Sequence, residues 1–170
     1  MEQKEFIKLY DENVRAIFRY IFLRVSSKES AQDLTSEVFL RWWKKMITDY
    51  RLSPAAKINN PRAFLYKIAK NLIVDFYRQK SRTEISLECV EIDIPDLAGG
   101  PSEKTSLDLE LEPIKKALSE IKDDYAEIII WHYLDELTIP EIAEILDKSE
   151  GAARVMLSRA LEKVREFLSS

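Results

Sequence analysis

The sequence has 170 residues, enough for one ordinary domain or two small ones, and carries a net charge of −4. Three glycines and six scattered prolines are too few for sheets joined by many tight turns, so an all-α chain is expected. A single cysteine excludes an internal disulfide, and with a single histidine it leaves too few ligands for a structural zinc site, so no metal or other cofactor is expected. No apolar run is long enough to cross a bilayer. The start, Met1 to Glu5, lacks the basic-then-apolar order of a secretory signal, so a cytoplasmic location without membrane insertion is expected.

In chain order, apolar residues first recur at Phe6, Tyr10, Val14, Ile17, Ile21 and Val25, the three-to-four spacing of one helix face. Ser26, Ser27 and Ser30 interrupt it. A second helix is expected over about 31–47, with Ala31, Leu34, Val38 and Trp42 on one stripe. Phe39, Leu40 and Trp43 lie outside that stripe, so the helix must be covered on two sides, by a further helix of the same bundle or by a partner. Residues 48–60 contain turn formers without a period and read as a loop. Asn60-Pro61 then offers an N-cap and a first-turn proline for a third helix to about Lys80.

Charge is segregated along this part of the chain. Over 51–82 eight basic residues face only Asp75, a net +7, whereas over 83–113 nine acidic residues face only Lys104, a net −8. On the third helix Lys67, Lys70, Val74 and Arg78 share a face flanked by Tyr66, Tyr77 and Asn71, with Leu65, Ile68, Leu72 and Phe76 opposite. Basic groups track phosphates, rings stack on unpaired bases and an amide reads a base edge, so this is a candidate surface for single-stranded nucleic acid. The plainer reading is a solvated helix with interfacial tyrosines.

The acidic stretch containing Gly99-Gly100-Pro101 reads as a linker. Within it Ile85, Leu87 and Cys89 alternate with Glu84, Ser86 and Glu88, a strand-like period that could dock on a partner, although extended linker is the simpler reading. Beyond Leu109, helices are expected to about Ile121 and from Asp124 to Leu134. His132, between Trp131 and Tyr133, has no carboxylate or cysteine pattern around it and reads as structural. Thr138 and Glu141 have capping-box spacing, with Pro140 tolerated in the first turn, and Ser149 can cap the last helix. That helix places Ala153, Met156, Leu157, Ala160, Val164 and Phe167 on a core face and Gly151, Val155, Ser158 and Glu162 opposite, with Arg154 and Arg159 on the flanks. Two short-connected amphipathic helices of this kind form a helix-turn-helix, whose second helix presents its outward residues to a major groove; a solvated helix pair has the same pattern. Neither a glycine-rich phosphate loop nor a nucleophile with a plausible base appears, so the sequence supports no enzyme.

Three stretches carry a resemblance: 31–43 (AQDLTSEVFLRWW), 61–71 (PRAFLYKIAKN) and 137–168, including EIAE at 141–144 and SEG at 149–151. Through them the chain resembles the extracytoplasmic-function sigma factors of the sigma-70 family. The resemblance implies a region 2-like domain at 1–82, an acidic linker at 83–108 and a region 4-like helix-turn-helix domain at 109–170. It implies that Gln32, Asp33, Glu37, Phe39, Leu40 and Trp43 dock on the β′ clamp helices of core RNA polymerase. Arg62, Lys67, Lys70, Asn71 and Arg78, with the loop before Asn60, would capture the opened −10 strand of promoter DNA. Ser149, Gly151, Arg154, Val155, Ser158 and Arg159 would face the −35 duplex while their domain touches the β flap. The linker would cross the polymerase, and an anti-sigma factor is a further implied partner.

The chain departs from that family in four places, one of them the loop at 48–60, which reads longer than in many members and leaves open which −10 base would be flipped. A proline often follows the leucine before the flap-facing helix, where Ile121-Lys122-Asp123 stands here. Threonine usually follows the glycine at 151 and a basic residue usually stands two places beyond 154, where this chain has Ala152 and Met156. Two phosphate contacts are thereby missing, which implies a weaker grip on, or altered preference for, the −35 element. The competing reading is a free-standing helix-turn-helix regulator, which would normally dimerise on paired half-sites. A helical scaffold or anti-factor that binds only proteins would leave the +7 block without a purpose.

Overall fold

A computed structural model describes residues 3–25, 27–52, 58–88 and 106–169, all helices and short turns with no strand among them. Helix α1 spans Gln3–Val25, α2 Lys28–Leu52 and α3 Pro61–Glu88. Ser27 starts α2, its hydroxyl accepting the Ser30 N–H at 3.3 Å. Asn60 caps α3 by accepting the Ala63 N–H at 3.0 Å, and Pro61 follows in the first turn as expected. The three helices pack around Ile17, Tyr20, Ile21, Val38, Trp42, Leu65 and Ala69, all buried.

Two boundaries differ from the sequence reading. Helix α2 continues through 48–52, where the Thr48 hydroxyl donates to the Lys44 carbonyl at 2.9 Å and so stays inside the helix. Helix α3 continues through 83–88, so the alternation at 84–88 is helical rather than extended, and Thr83 back-bonds to Gln79 in the same way. Cys89 and the rest of the linker to 105 lie outside the described residues, as does the loop at 53–57.

The second unit is α4 (Ser106–Ser119), α5 (Asp123–Ile129), α6 (Ile139–Leu146) and α7 (Glu150–Ser169). Helix α4 starts before the expected position near Leu109 and accommodates Pro113. Helix α5 does not run on as an α-helix to Leu134. It widens into a π-turn over Ile130–Leu134, with the Asp135 N–H donating to the Ile130 carbonyl at 3.0 Å. The extra residue per turn buries Trp131 and swings Asp135 toward α1 and α3. His132 is structural, its Nδ1 lying 3.0 Å from the Leu137 carbonyl.

Candidate nucleic-acid interface

The Thr138 hydroxyl accepts the Glu141 N–H and the Glu141 carboxylate accepts the Thr138 N–H at 2.8 Å, closing the capping box that starts α6. Asp147 ends the helix in the left-handed region at φ 52°, and the Lys148 N–H donates back to the Ala143 carbonyl at 3.0 Å. Ser149 then accepts the Ala152 N–H at 3.1 Å and launches α7. Fully buried Ala153 and Ala160 let α7 lie close against α5 and α6. With those small residues inward, Gly151, Arg154, Val155, Ser158 and Arg159 are all exposed. Val155 is 50% exposed, although it is apolar. A Cβ at Gly151 would meet only the Ser149 hydroxyl at 3.9 Å, so nothing inside the chain requires glycine there. Arg154 makes only an exposed contact to Glu150 at 3.4 Å, a weak tether that a ligand can displace.

Helix α3 divides less cleanly. Asn71, Val74, Tyr77 and Arg78 are exposed, with Arg78 only 3.9 Å from Asp75. Tyr66, expected beside the basic face, is instead fully buried, with Tyr20 of α1 on one side and Asp135, which follows the π-turn, on another. Its ring is tilted at 45° to that of Tyr20, with centroids 5.6 Å apart, and it lies against Asp135; burial and that carboxylate push its phenol well above the usual tyrosine range. Arg62, Lys67 and Lys70 are engaged by the second unit. Arg62 donates to the Asp135 carbonyl, Lys67 reaches Asp147 at 2.5 Å, and Lys70 reaches Glu127 at 3.3 Å while standing 5.7 Å over the Trp131 ring.

These contacts belong to a larger seam that periodicity did not reveal. Arg19 donates to the Leu134 carbonyl at 2.7 Å and to the Asp135 carboxylate. Arg24 pairs with Asp123 at 2.9 Å, and the Tyr20 hydroxyl donates to Glu127 at 3.0 Å. Burial raises the Asp135 carboxyl despite Arg19, and burial with the Glu127 charge raises the Tyr20 phenol strongly. Cations of the first unit thus meet acids of the second across their contact. Three of the five residues assigned to −10 DNA lie in that seam, whereas the outward face of α7 remains open.

The residues assigned to polymerase lie on α2 beside α1. Gln32 and Asp33 are exposed, and Glu37 pairs with Arg41 at 2.7 Å. Phe39 is only 3% exposed and packs edge-on against Tyr10, so it is core and forms the floor of a groove rather than a free anchor. Trp43 is half-buried, its ring 4.7 Å from that of Phe6, while Leu40 is 45% exposed. With Gln3, Phe6 and Ile7 these residues line an open apolar groove of about 470 Å³. Of the two expected coverings of α2, the helix is present, α1 lying over Phe39, while Leu40 remains exposed beside Ile7 of α1. The α1 contribution was missed because Phe6 reads as core and Ile7 stands outside the stripe.

Comparison with known proteins places the chain in a family. Residues 9–83 match Sigma-70 region 2 and residues 111–164 match Sigma-70, region 4. The chain is 28% identical over 168 residues to the ECF RNA polymerase sigma factor BldN of Streptomyces coelicolor, covering 98% of this chain and 61% of BldN. It is 24% identical over 159 residues to the ECF sigma factor SigM of Bacillus subtilis, covering 93% of this chain and 91% of SigM. Its fold is similar to that of the sigma factor RpoE in the RpoE–NepR complex from Bartonella quintana, at a TM-score of 0.70, 23% identity and 98% coverage of both chains. It is equally similar to CnrH in complex with the cytosolic domain of CnrY, at a TM-score of 0.70 and 19% identity, covering 99% of this chain and 90% of CnrH. With regions 2 and 4 both present in order, each on a helical unit, the chain belongs to the sigma-70 family of promoter-directing initiation factors, in its extracytoplasmic-function group.

Proposed function

We propose that the chain docks on core RNA polymerase through the α1–α2 groove, reads a −35 duplex with the outward face of α7 and captures the opened −10 strand with α3. The observation that carries this reading is the N-terminal outward face of α7. An exposed Val155, two exposed arginines and an exposed Gly151, whose only close neighbour would be the Ser149 hydroxyl at 3.9 Å from an added Cβ, follow a fully capped turn, which suits a helix laid into a major groove. The acidic stretch between α3 and α4, shorter at both ends than the linker expected at 83–108, joins the two units across the polymerase, and the second unit also contacts the β flap.

In this reading the factor binds and positions but performs no chemistry of its own, and it acts in the cytoplasm. No described helix is long and apolar enough to cross a membrane. Because Arg62, Lys67 and Lys70 are held by the second unit, the two units must separate before α3 meets single-stranded DNA. Core polymerase, gripping both units, supplies that separation. An anti-sigma factor is a further proposed partner; RpoE of Bartonella quintana was solved in complex with the anti-sigma factor NepR.

The test is transcription by core polymerase with and without the full chain. Promoter-specific transcripts that require the chain are expected. Tight operator binding by the isolated chain as a dimer, with no polymerase requirement, would instead establish a free-standing regulator.

A further inference from the structure

The outward face of α7 borders an open cleft of about 510 Å³ between the start of α5 and the start of α7. Three cations line it: Lys122 before α5, Lys148 in the turn between α6 and α7, and Arg159 on α7. One acid, Asp124, lies among them. Lys122, Lys148 and Arg159 are exposed, and no ion pair is recorded for any of them among the described residues. By contrast Arg19, Arg24, Lys67 and Lys70 are each paired with a carboxylate across the seam. The cleft therefore keeps its positive charge available while the seam spends its own. Ala152 and Met156, which carry no charge, also line it, so the cations reach this surface from the turn and from α5 as well as from α7.

We infer that Lys122 and Lys148 are phosphate-gripping residues of the −35 interface, holding with Arg159 one DNA strand that runs past the start of α7. The inference rests on the −35 reading of α7 and names the contacts that hold the helix in place. An ammonium on a flexible stem is a point charge: it grips phosphate without selecting a base, whereas the groove-facing residues Gly151, Val155 and Arg154 supply sequence preference. The cleft thereby makes up for the two phosphate contacts missing at Ala152 and Met156. Lys122 and Lys148 reach it from outside the recognition helix, so a reading confined to α7 undercounts the DNA contacts of this chain.

The experiment uses holoenzyme assembled from core polymerase and the full chain, on the promoter mapped from transcripts that the chain directs. Promoter affinity is measured across a salt series for the parent, for Lys122→Gln with Lys148→Gln, and for the corresponding double arginine variant. Each lost phosphate contact lowers the slope of log affinity against log salt by about 0.9 and weakens binding by roughly eightfold at 0.1 M salt. The double glutamine variant should lose nearly two units of slope, weaken every −35 variant alike and retain its melting temperature. The arginine variant should keep the parental slope, and Met156→Arg added to the glutamine variant should return about one unit. If scrambling the −35 element abolishes parental binding while the glutamine variant keeps its slope and affinity, the −35 reading stands and the two lysines face solvent. A change in preference at a single base position would mean that the lysines read bases, which also overturns the assignment. If scrambling the −35 element leaves the parent unaffected, the −35 reading falls and the lysine assignment falls with it.

Discussion

Glu127 is a sensitive point at which to disturb the seam. It is buried, accepts the Tyr20 hydroxyl at 3.0 Å and faces the Lys70 ammonium at 3.3 Å, so one carboxylate holds two helices of the first unit. Glu127→Gln keeps an acceptor for Tyr20 but removes the charge that holds Lys70. A hydrogen bond to a charged group contributes about 1.5–3 kcal/mol and a neutral one about 0.5–1.5. The Lys70 side chain is 24% exposed, so solvent screens part of that difference and about 1–1.5 kcal/mol is the expected loss. That shifts the ratio of closed to open chains by about tenfold. The full-length variant, titrated with a fluorescent single-stranded −10 oligonucleotide, should bind it about tenfold more tightly than the parent does. Small-angle scattering should show a larger mean radius. In a Lys70→Ala background the substitution should gain less, because Lys70 closes the seam and, in the proposed reading, also contacts the strand. Unchanged oligonucleotide affinity together with unchanged scattering, in a variant that remains folded, would show that the seam does not control access to α3.

Three further outcomes follow from other parts of the molecule. Burial holds the Asp135 carboxyl above its usual range despite Arg19, so the folded chain binds that proton more tightly than the unfolded chain does. As pH falls from the raised value toward the ordinary carboxylate range, the parent should gain Tm relative to Asp135→Asn; a relative loss over that window would refute the argument. Gly151→Ala should raise helix stability by about 0.5–1 kcal/mol, because its Cβ meets the Ser149 hydroxyl only at ordinary contact distance, 3.9 Å, yet weaken −35-dependent transcription by holding the DNA away; a variant stabilised with full activity would place that face in solvent. Leu40→Ala should weaken association with core polymerase by about 1–2 kcal/mol with little change in Tm, whereas Phe39→Ala should cost about 3–5 kcal/mol of fold stability. The reverse pattern would exchange the roles of core and groove.

The parts of this structure that were legible in the sequence are those decided within a few residues. The Thr138–Glu141 box and the Ser149 cap are local, and the structure reproduces both; the core face of α7 holds from Ala153 to Val164, whereas Phe167, expected on it, is exposed in the last turns, where no described helix of the second unit buries it. Helix ends were less legible. Turn-forming residues at 48–52 and the alternating residues at 84–88 remain helical, because side-chain back-bonding and continuation of a long helix outweigh a weak local preference. Tyr66 shows the limit of a helical projection: it stands near the basic face, yet residues as distant in sequence as Tyr20 and Asp135 bury it. Nor does any local pattern specify that Arg19 meets Asp135, which is 116 residues distant, or that α5 opens into a π-turn to bring them together. Glu127 and Asp135 are acids buried by tertiary packing; in sequence they resemble the solvated acids around them.

The charge segregation can now be placed. A chain of net charge −4 that must meet DNA has to keep its +7 block from acting as a general nucleic-acid binder. Here the intramolecular acids Glu127 and Asp147 occupy Lys70 and Lys67, and Arg62 is spent on the Asp135 carbonyl, so the most basic helix offers few free phosphate contacts while the units are together. Non-specific affinity rises steeply with the number of phosphates neutralised, so withholding three cations removes most of it. The α7 face, open in the same arrangement, carries fewer cations and cannot hold duplex DNA firmly by itself. Each surface therefore depends on the other and on an agent that separates the units while keeping both in place. In the proposed reading that agent is core polymerase bound through the apolar groove at Leu40 and Ile7, whose lining shares no residue with the seam, so docking can precede opening and strand capture is confined to the polymerase-bound state.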